Sequence, residues 1–261
     1  MYPCAQCNVA WDLNRRYDLA ERKYRELLAQ GATCGGVHAR LAYCLLQRGR
    51  SQEALSTARE GVRLDPHRDY CHWALSSVLM EQGSLREAEE SALEAVRLAP
   101  HNAFNHAHLA QVYGRRQKWD AAFKAAEQGL AINPVHIDSA RLRAYALAYL
   151  GRTPLAIKDM EAAMAADPGC AAGHAMLGWL YLTNREPGKA QETLTESLRL
   201  DPTDAWARAH LDRAKWDIHS ARVAAQESAS RHRRVSFWRL LPLVLAAWML
   251  VRICFGTDAG W

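Results

Sequence analysis

Five prolines decide what this chain can become: Pro66, Pro100, Pro134, Pro168 and Pro202 follow one another at a constant interval of 34 residues. The stretches that lead into them read alike, as EGVRLDP, EAVRLAP, QGLAINP and ESLRLDP. A fixed period of this length outranks other sequence signals, because it means that one small unit is copied and stacked. Further columns keep the frame. Ala54, Ala88, Ala122, Ala156 and Ala190 form one, and Ala20 extends it upstream. Ala42, Ser76, Ala110, Ala144 and Gly178 form a column of small residues. Leu41, Leu75, Leu109 and Leu177 form an apolar column that Arg143 interrupts.

Each column has a physical reason. Small residues are needed where two helices cross closely, since a larger side chain would push the backbones apart. Proline cannot continue a helix interior, so it ends one unit and opens the next. Gly49, Gly83 and Gly151 fall between the two helices of their units, where a helix C-terminus favours glycine. Gln117 and Arg185 take that slot in the other two units.

On these columns the sequence resembles the tetratricopeptide repeat family from about Val9 to Trp216. The resemblance implies an all-α, right-handed superhelical solenoid of antiparallel helix pairs with a concave groove. The units are expected at 35–68, 69–102, 103–136, 137–170 and 171–204. Residues 1–34 read as a degenerate first unit that keeps Trp11, Ala20, Tyr24 and Leu27 but lacks the proline. Residues 205–228 read as a capping helix, 229–236 as a basic linker and 237–255 as a hydrophobic helix.

Composition narrows the function. The formal net charge is only +5, and much of the excess sits in Arg231, Arg233, Arg234, Arg239 and Arg252. A nucleic-acid binder needs a concentrated basic face with base-stacking aromatics, so no nucleic-acid partner is expected. Arginine far outnumbers lysine and alanine is abundant, which points to a GC-rich bacterial genome. The N-terminal MYPCAQCNVAWDL has no basic start followed by an apolar run, so it does not read as a secretory signal. The seven cysteines are scattered and read as reduced thiols. Cys4 and Cys7 make a lone CxxC; zinc needs four ligands and no second pair follows, so no metal site is expected.

His38, His72, His106 and His174 share a column, with Ala140 in the fifth place. Equivalent residues in adjacent units are about 10 Å apart, whereas zinc–nitrogen bonds need about 2 Å. The column therefore reads as packing, in the slot where the family carries a large residue between the helices of a pair.

The family resemblance places the first helix of each unit on the concave surface. The residues expected to face inward there include Arg40, Tyr43, Tyr70, Trp73, Phe104, His108, Arg141, Tyr145, Trp179 and Trp206. Aromatics and arginine are the enriched anchors of protein interfaces. The expected partner is a protein or peptide, as an extended segment or an amphipathic helix. Some members of the family clamp a chaperone C-terminal carboxylate with lysine, asparagine and arginine; here the matching slots hold Ala39, Tyr43, Ala74, Phe104 and His108. There is no GxGxxG, GxxxxGK[ST], HExxH or GxSxG, so the chain does not read as an enzyme. No cofactor and no small-molecule substrate are implied. The degenerate first unit would leave an uncapped end, which allows a homo-oligomer.

The composition changes after about Gln226. Leu240, Leu241, Leu243, Val244, Leu245, Trp248, Met249, Leu250 and Val251 lie in an uninterrupted apolar run of twelve residues, 240–251. With Phe237, Trp238 and Phe255 at its flanks the stretch reaches nineteen residues, within the roughly 17–25 that a membrane-spanning helix needs. The run is apolar all round, so it must be buried in lipid or in protein. The preceding arginines place the repeats on the cytoplasmic face of a membrane behind a single C-terminal anchor. The alternatives are a cytoplasmic protein, or a subunit or assembly factor of a membrane complex whose C-terminal helix packs on partner helices.

Overall fold

The computed structural model describes residues 16–31 and 33–228, which form twelve helices and no strand. In chain order these are α1 (Tyr17–Ala29), α2 (Gly35–Gln47), α3 (Ser51–Leu64), α4 (Asp69–Glu81), α5 (Leu85–Leu98) and α6 (Ala103–Arg115). They continue as α7 (Trp119–Ile132), α8 (Ile137–Tyr149), α9 (Thr153–Ala166), α10 (Ala171–Thr183) and α11 (Pro187–Leu200). The last, α12, spans 205–228. Each even helix packs on the odd one that follows, and the even helices α2, α4, α6, α8 and α10 also touch one another in succession. The chain is thus a stack of helix pairs, a solenoid, with one helix of each pair in an inner row. Cys4, Cys7, Trp11 and the segment 237–255 lie outside the described residues. Among the described residues no helix is long and apolar enough to cross a membrane.

The turn inside each pair follows one rule. At the end of α2 the Gly49 N–H donates to the Leu46 carbonyl at 2.9 Å and the Arg50 N–H to the Leu45 carbonyl at 2.9 Å. This pair of bonds closes a helix on a left-handed residue. The same two bonds recur after α4, α6, α8 and α10. The pivot is glycine three times, with φ of 75° at Gly49, 80° at Gly83 and 76° at Gly151. Gln117 and Arg185 adopt it with φ of 59° and 61°, although a Cβ disfavours that conformation.

Within a pair the small column sits at the helix crossing. Ala42, Ser76, Ala110 and Ala144 are fully buried. At Gly178 an added Cβ would lie 2.4 Å from Leu194 Cγ. The residue sixteen places on, which faces this column, is Ala58, Ala92, Ala126 or Met160 in the other units and Leu194 here. The smallest partner thus meets one of the largest, and the crossing keeps its spacing.

The histidine column has a more specific job than wedging helices apart. His72, His106 and His174 donate through Nε2 to the carbonyls of Pro66, Pro100 and Pro168, at 2.8, 2.9 and 2.9 Å. Arg208, in the same register on α12, donates to the Pro202 carbonyl at 2.6 Å. Each side chain straps its helix to the turn that introduces it. Ala140 has no side chain to do so, and a cavity of about 180 Å³ lies there, lined among others by Pro134, Ala140, Arg143 and Asp159. Arg143, the interruption of the leucine column, pairs with Asp159 at 3.0 Å in that same place. Among the described residues no group of three or more His, Cys, Asp or Glu gathers as a metal site would require.

The core falls into several clusters along the stack, and two carboxylates tie neighbouring units together. Glu21, only 4% exposed, accepts from Arg25 at 2.9 Å, from Arg50 at 2.7 Å and from Arg48. Burial alone would raise its pKa. Hydrogen bonds from Arg48 and Arg25, with the charges of Arg48 and Arg50, outweigh that and hold the carboxyl below its usual range. Two units later Glu89 holds Arg116 and, at 3.0 Å, Lys118 in the same arrangement. At the far end Ala207, Leu211 and Ala214 of α12 join the cluster around Leu180 and Leu194 and cover it.

Candidate functional site

The inner row carries two ring clusters. In the first, Tyr70 and Trp73 sit three apart on α4, so both project from one face. Their rings are stacked, 5.2 Å apart at 17°. Tyr43 of α2 closes on Trp73 at 5.2 Å, and the Arg40 guanidinium lies 5.0 Å from the Tyr70 ring centre. In the second, Tyr145 and Tyr149 sit four apart on α8. Trp119 stacks on Tyr149 at 4.1 Å and 11°, and Trp179 of α10 lies 5.1 Å from Tyr145. Burial, then the hydrogen bond with the Tyr149 hydroxyl, push the Tyr145 phenol up to about 12, so it stays neutral.

His108 of α6 joins the first cluster to the middle of the row, 5.5 Å from Trp73. It is 6% exposed and its Nε2 lies 2.9 Å from Ser76 Oγ. Burial pushes its pKa down to about 4, so the imidazole is neutral at ordinary pH. Two cavities open on either side. One of about 430 Å³ is lined by Trp73, Phe104, His108, Arg141, Tyr145 and Trp206, together with Ala107, Gln111, Asp138, Leu142 and Met176. The other, about 490 Å³, lies between α2, α4 and α6 and includes Tyr43, Gln47, Trp73, Ser77, Glu81 and His108. Trp73, His108 and Gln111 border both, so they form one groove along the inner row.

The ten residues expected from the sequence therefore divide. Tyr43, Trp73, Phe104, His108, Arg141, Tyr145 and Trp206 line the groove. Arg40, Tyr70 and Trp179 stand behind it as ring and cation supports. Arg141 is not an open cation there, because it pairs with Asp138 one turn earlier at 3.0 Å. Phe104 is 64% exposed and leans edge-on against His136, the N-cap of α8, at 4.5 Å. Trp119 escapes the sequence reading because it belongs to an outer helix. Its place as the first residue after the turn is the signal: there a long side chain can reach back to the end of the inner helix that follows.

Comparisons with known proteins agree with this architecture. A family model described as Tetratricopeptide repeat matches residues 4–69 and 141–205, and a second model of the same description matches 70–102. A comparison with curated protein sequences finds no match. Among solved structures, a thermophilic tetratricopeptide repeat protein of Thermus thermophilus superposes with a TM-score of 0.63 at 18% identity, over 70% of this chain and 100% of that one. PilF of Pseudomonas aeruginosa does so with a TM-score of 0.58 at 16% identity, over 80% and 89% of the two chains. A chain of the APC/C hetero-tetramer Cut9–Hcn1 gives 0.63 at 19% identity; the match spans 76% of this chain but only 39% of that one. At these identities the likeness is one of fold. With the proline, alanine and small-residue columns matched by family models over more than half its length, this chain belongs to the tetratricopeptide repeat family.

Proposed function

We propose that this protein is a non-catalytic scaffold that holds a segment of a partner protein in the inner groove, tethered to a membrane by residues 237–255. The observation that carries the reading is the groove itself: two adjoining cavities of about 430 and 490 Å³ share Trp73, His108 and Gln111. Concave, aromatic-lined surfaces of this size are where anchors of a partner are buried. The fold is compatible with such a role, since Cut9–Hcn1, which shares it, is a hetero-tetramer. The tether rests on sequence: nineteen residues from Phe237 to Phe255, with Trp238 and Phe255 at the ends and an arginine cluster before them.

Crosslinking and pull-down from native membranes test both halves. The double variant Trp73→Ala/Trp179→Ala should lose the captured partner while its helical circular dichroism persists. Unchanged capture would remove the groove from the reading. A chain ended at Ser230 should move from the membrane to the soluble fraction; if it stays with the membrane, the tether is wrong.

A further inference from the structure

We infer that the groove takes an uncharged, proline-rich segment in the polyproline II conformation, laid across the inner helices with one turn per repeat. The inference rests on the groove being the partner site, and it names the chemistry of the occupant.

Charge is the first argument. The ionised side chains that line the two cavities are Glu81, Asp138 and Arg141. Arg141 is matched to Asp138 at 3.0 Å and Glu81 to Arg115 at 3.7 Å. His108 is neutral. A charged segment would have to break one of these pairs and lose its own hydration, so the complementary occupant carries no charge.

The rings are the second. Trp73 lines both cavities and Tyr145 one of them, and each is backed by a further ring, Trp73 by Tyr70 stacked at 17° and Tyr145 by Trp179 at 5.1 Å. Rings already packed on one another lose little freedom on binding, and flat aromatic faces are what pyrrolidine rings dock against. The third argument is donors. Among the described residues the indole N–H of Trp73, a residue that lines both cavities, makes no hydrogen bond and is not among the buried polar atoms without a partner. It is therefore available to an occupant. A polyproline II helix has no internal hydrogen bonds, so its carbonyls point outward and can accept from it. An α-helical occupant has already used its carbonyls.

Spacing is the fourth. Consecutive inner helices pack directly on one another, which sets their axes about 8–10 Å apart. One polyproline II turn of three residues at 3.1 Å advances about 9 Å. Every third residue of such a segment meets the equivalent position of the next repeat. An α-helix advances about 5.4 Å per turn and falls out of step.

The test titrates the full-length protein with acetylated, amidated oligoprolines of six, nine and twelve residues, observed through the indole N–H resonances. The expected result is movement of the Trp73 and Trp179 signals, with affinity rising several-fold for each three residues added. Trp73→Phe keeps a ring but removes the donor and should weaken binding by about three- to tenfold, with circular dichroism unchanged. If the twelve-residue oligoproline leaves both signals unmoved while a neutral amphipathic helical peptide shifts them, the polyproline inference is overturned and the groove remains the partner site. If no peptide shifts them and the double tryptophan variant still captures its partner, both readings fail together.

Discussion

At the scale of single residues, the repeat is a set of positions with strict demands and a few places where this chain departs from them. The pivot of each intra-unit turn needs φ near 60–80°, and Gln117 and Arg185 meet that demand against their side chains. A Cβ there costs about 1–2 kcal/mol, partly offset because glycine gains freedom in the unfolded chain. Gln117→Gly and Arg185→Gly should each stabilise the protein by about 0.5–1 kcal/mol, read as a rise in the urea midpoint at constant slope. A fall in both would show that these side chains do something that outweighs the strain. The opposite demand operates at Gly178, where only the absence of a Cβ leaves room for Leu194. Gly178→Ala should cost about 1–3 kcal/mol, although alanine fills that column in three other units. The effect depends on the partner, so a double-mutant cycle with Leu194→Ala should show coupling: the alanine at 178 costs much less when 194 is also small. Additive values would mean that the two side chains do not share the crossing.

At the scale of elements, helix number, pairing and order were legible because proline and glycine punctuate the sequence at fixed places and apolar and small columns mark the faces. The inner row was legible too, through the family resemblance, which puts the first helix of each unit inside and so picks out Trp73, His108 and Tyr145 on α4, α6 and α8. What was not legible depends on contacts across elements. Nothing in a list of residues says that His72 reaches the Pro66 carbonyl, that Arg143 finds Asp159, or that Trp119 stacks on Tyr149. The strap to the proline carbonyl explains why His72, His106, His174 and, in α12, Arg208 all carry an N–H donor at this place, while His38, whose unit has no proline before it, lies with Nδ1 3.5 Å from the Cys34 carbonyl. It also singles out α8, where Ala140 leaves a cavity of about 180 Å³ beside Pro134. Ala140→His should fill that space and restore the missing strap, for a gain of about 1 kcal/mol in denaturant unfolding. A loss of stability would mean that Arg143 and Asp159 already need the space.

At the scale of the whole molecule, a solenoid has no single core. Each unit is held by its neighbours, so a weak unit in the middle divides the array. The capping helix protects one end through Ala207, Leu211 and Ala214, but the groove has a buried imidazole, His108, at its middle. His108, with a pKa of about 4 in the fold against an ordinary 6.5, resists the proton that acid offers it. Burial lowers His136 as well, against the pull of Asp138. The sign follows from proton counting. Below pH 6.5 the unfolded chain binds a proton at His108 that the folded chain does not, so stability is complete above that pH and drains away as pH falls toward 4. The loss from His108 alone is on the order of 3 kcal/mol. Glu21, held low by its arginines, contributes separately and only as pH falls below its ordinary value of 4.5. His108→Gln should therefore flatten the fall between pH 6.5 and 4.5 without removing the steeper loss at lower pH. The position of the weak point gives a sharper reading. At about pH 5, inside that window, hydrogen exchange should quicken first in α6 and the start of α8, at the middle of the groove, while α2 and α12 keep their neutral-pH protection. Exchange that spreads inward from the ends with α6 unchanged would place the acid sensitivity outside the groove.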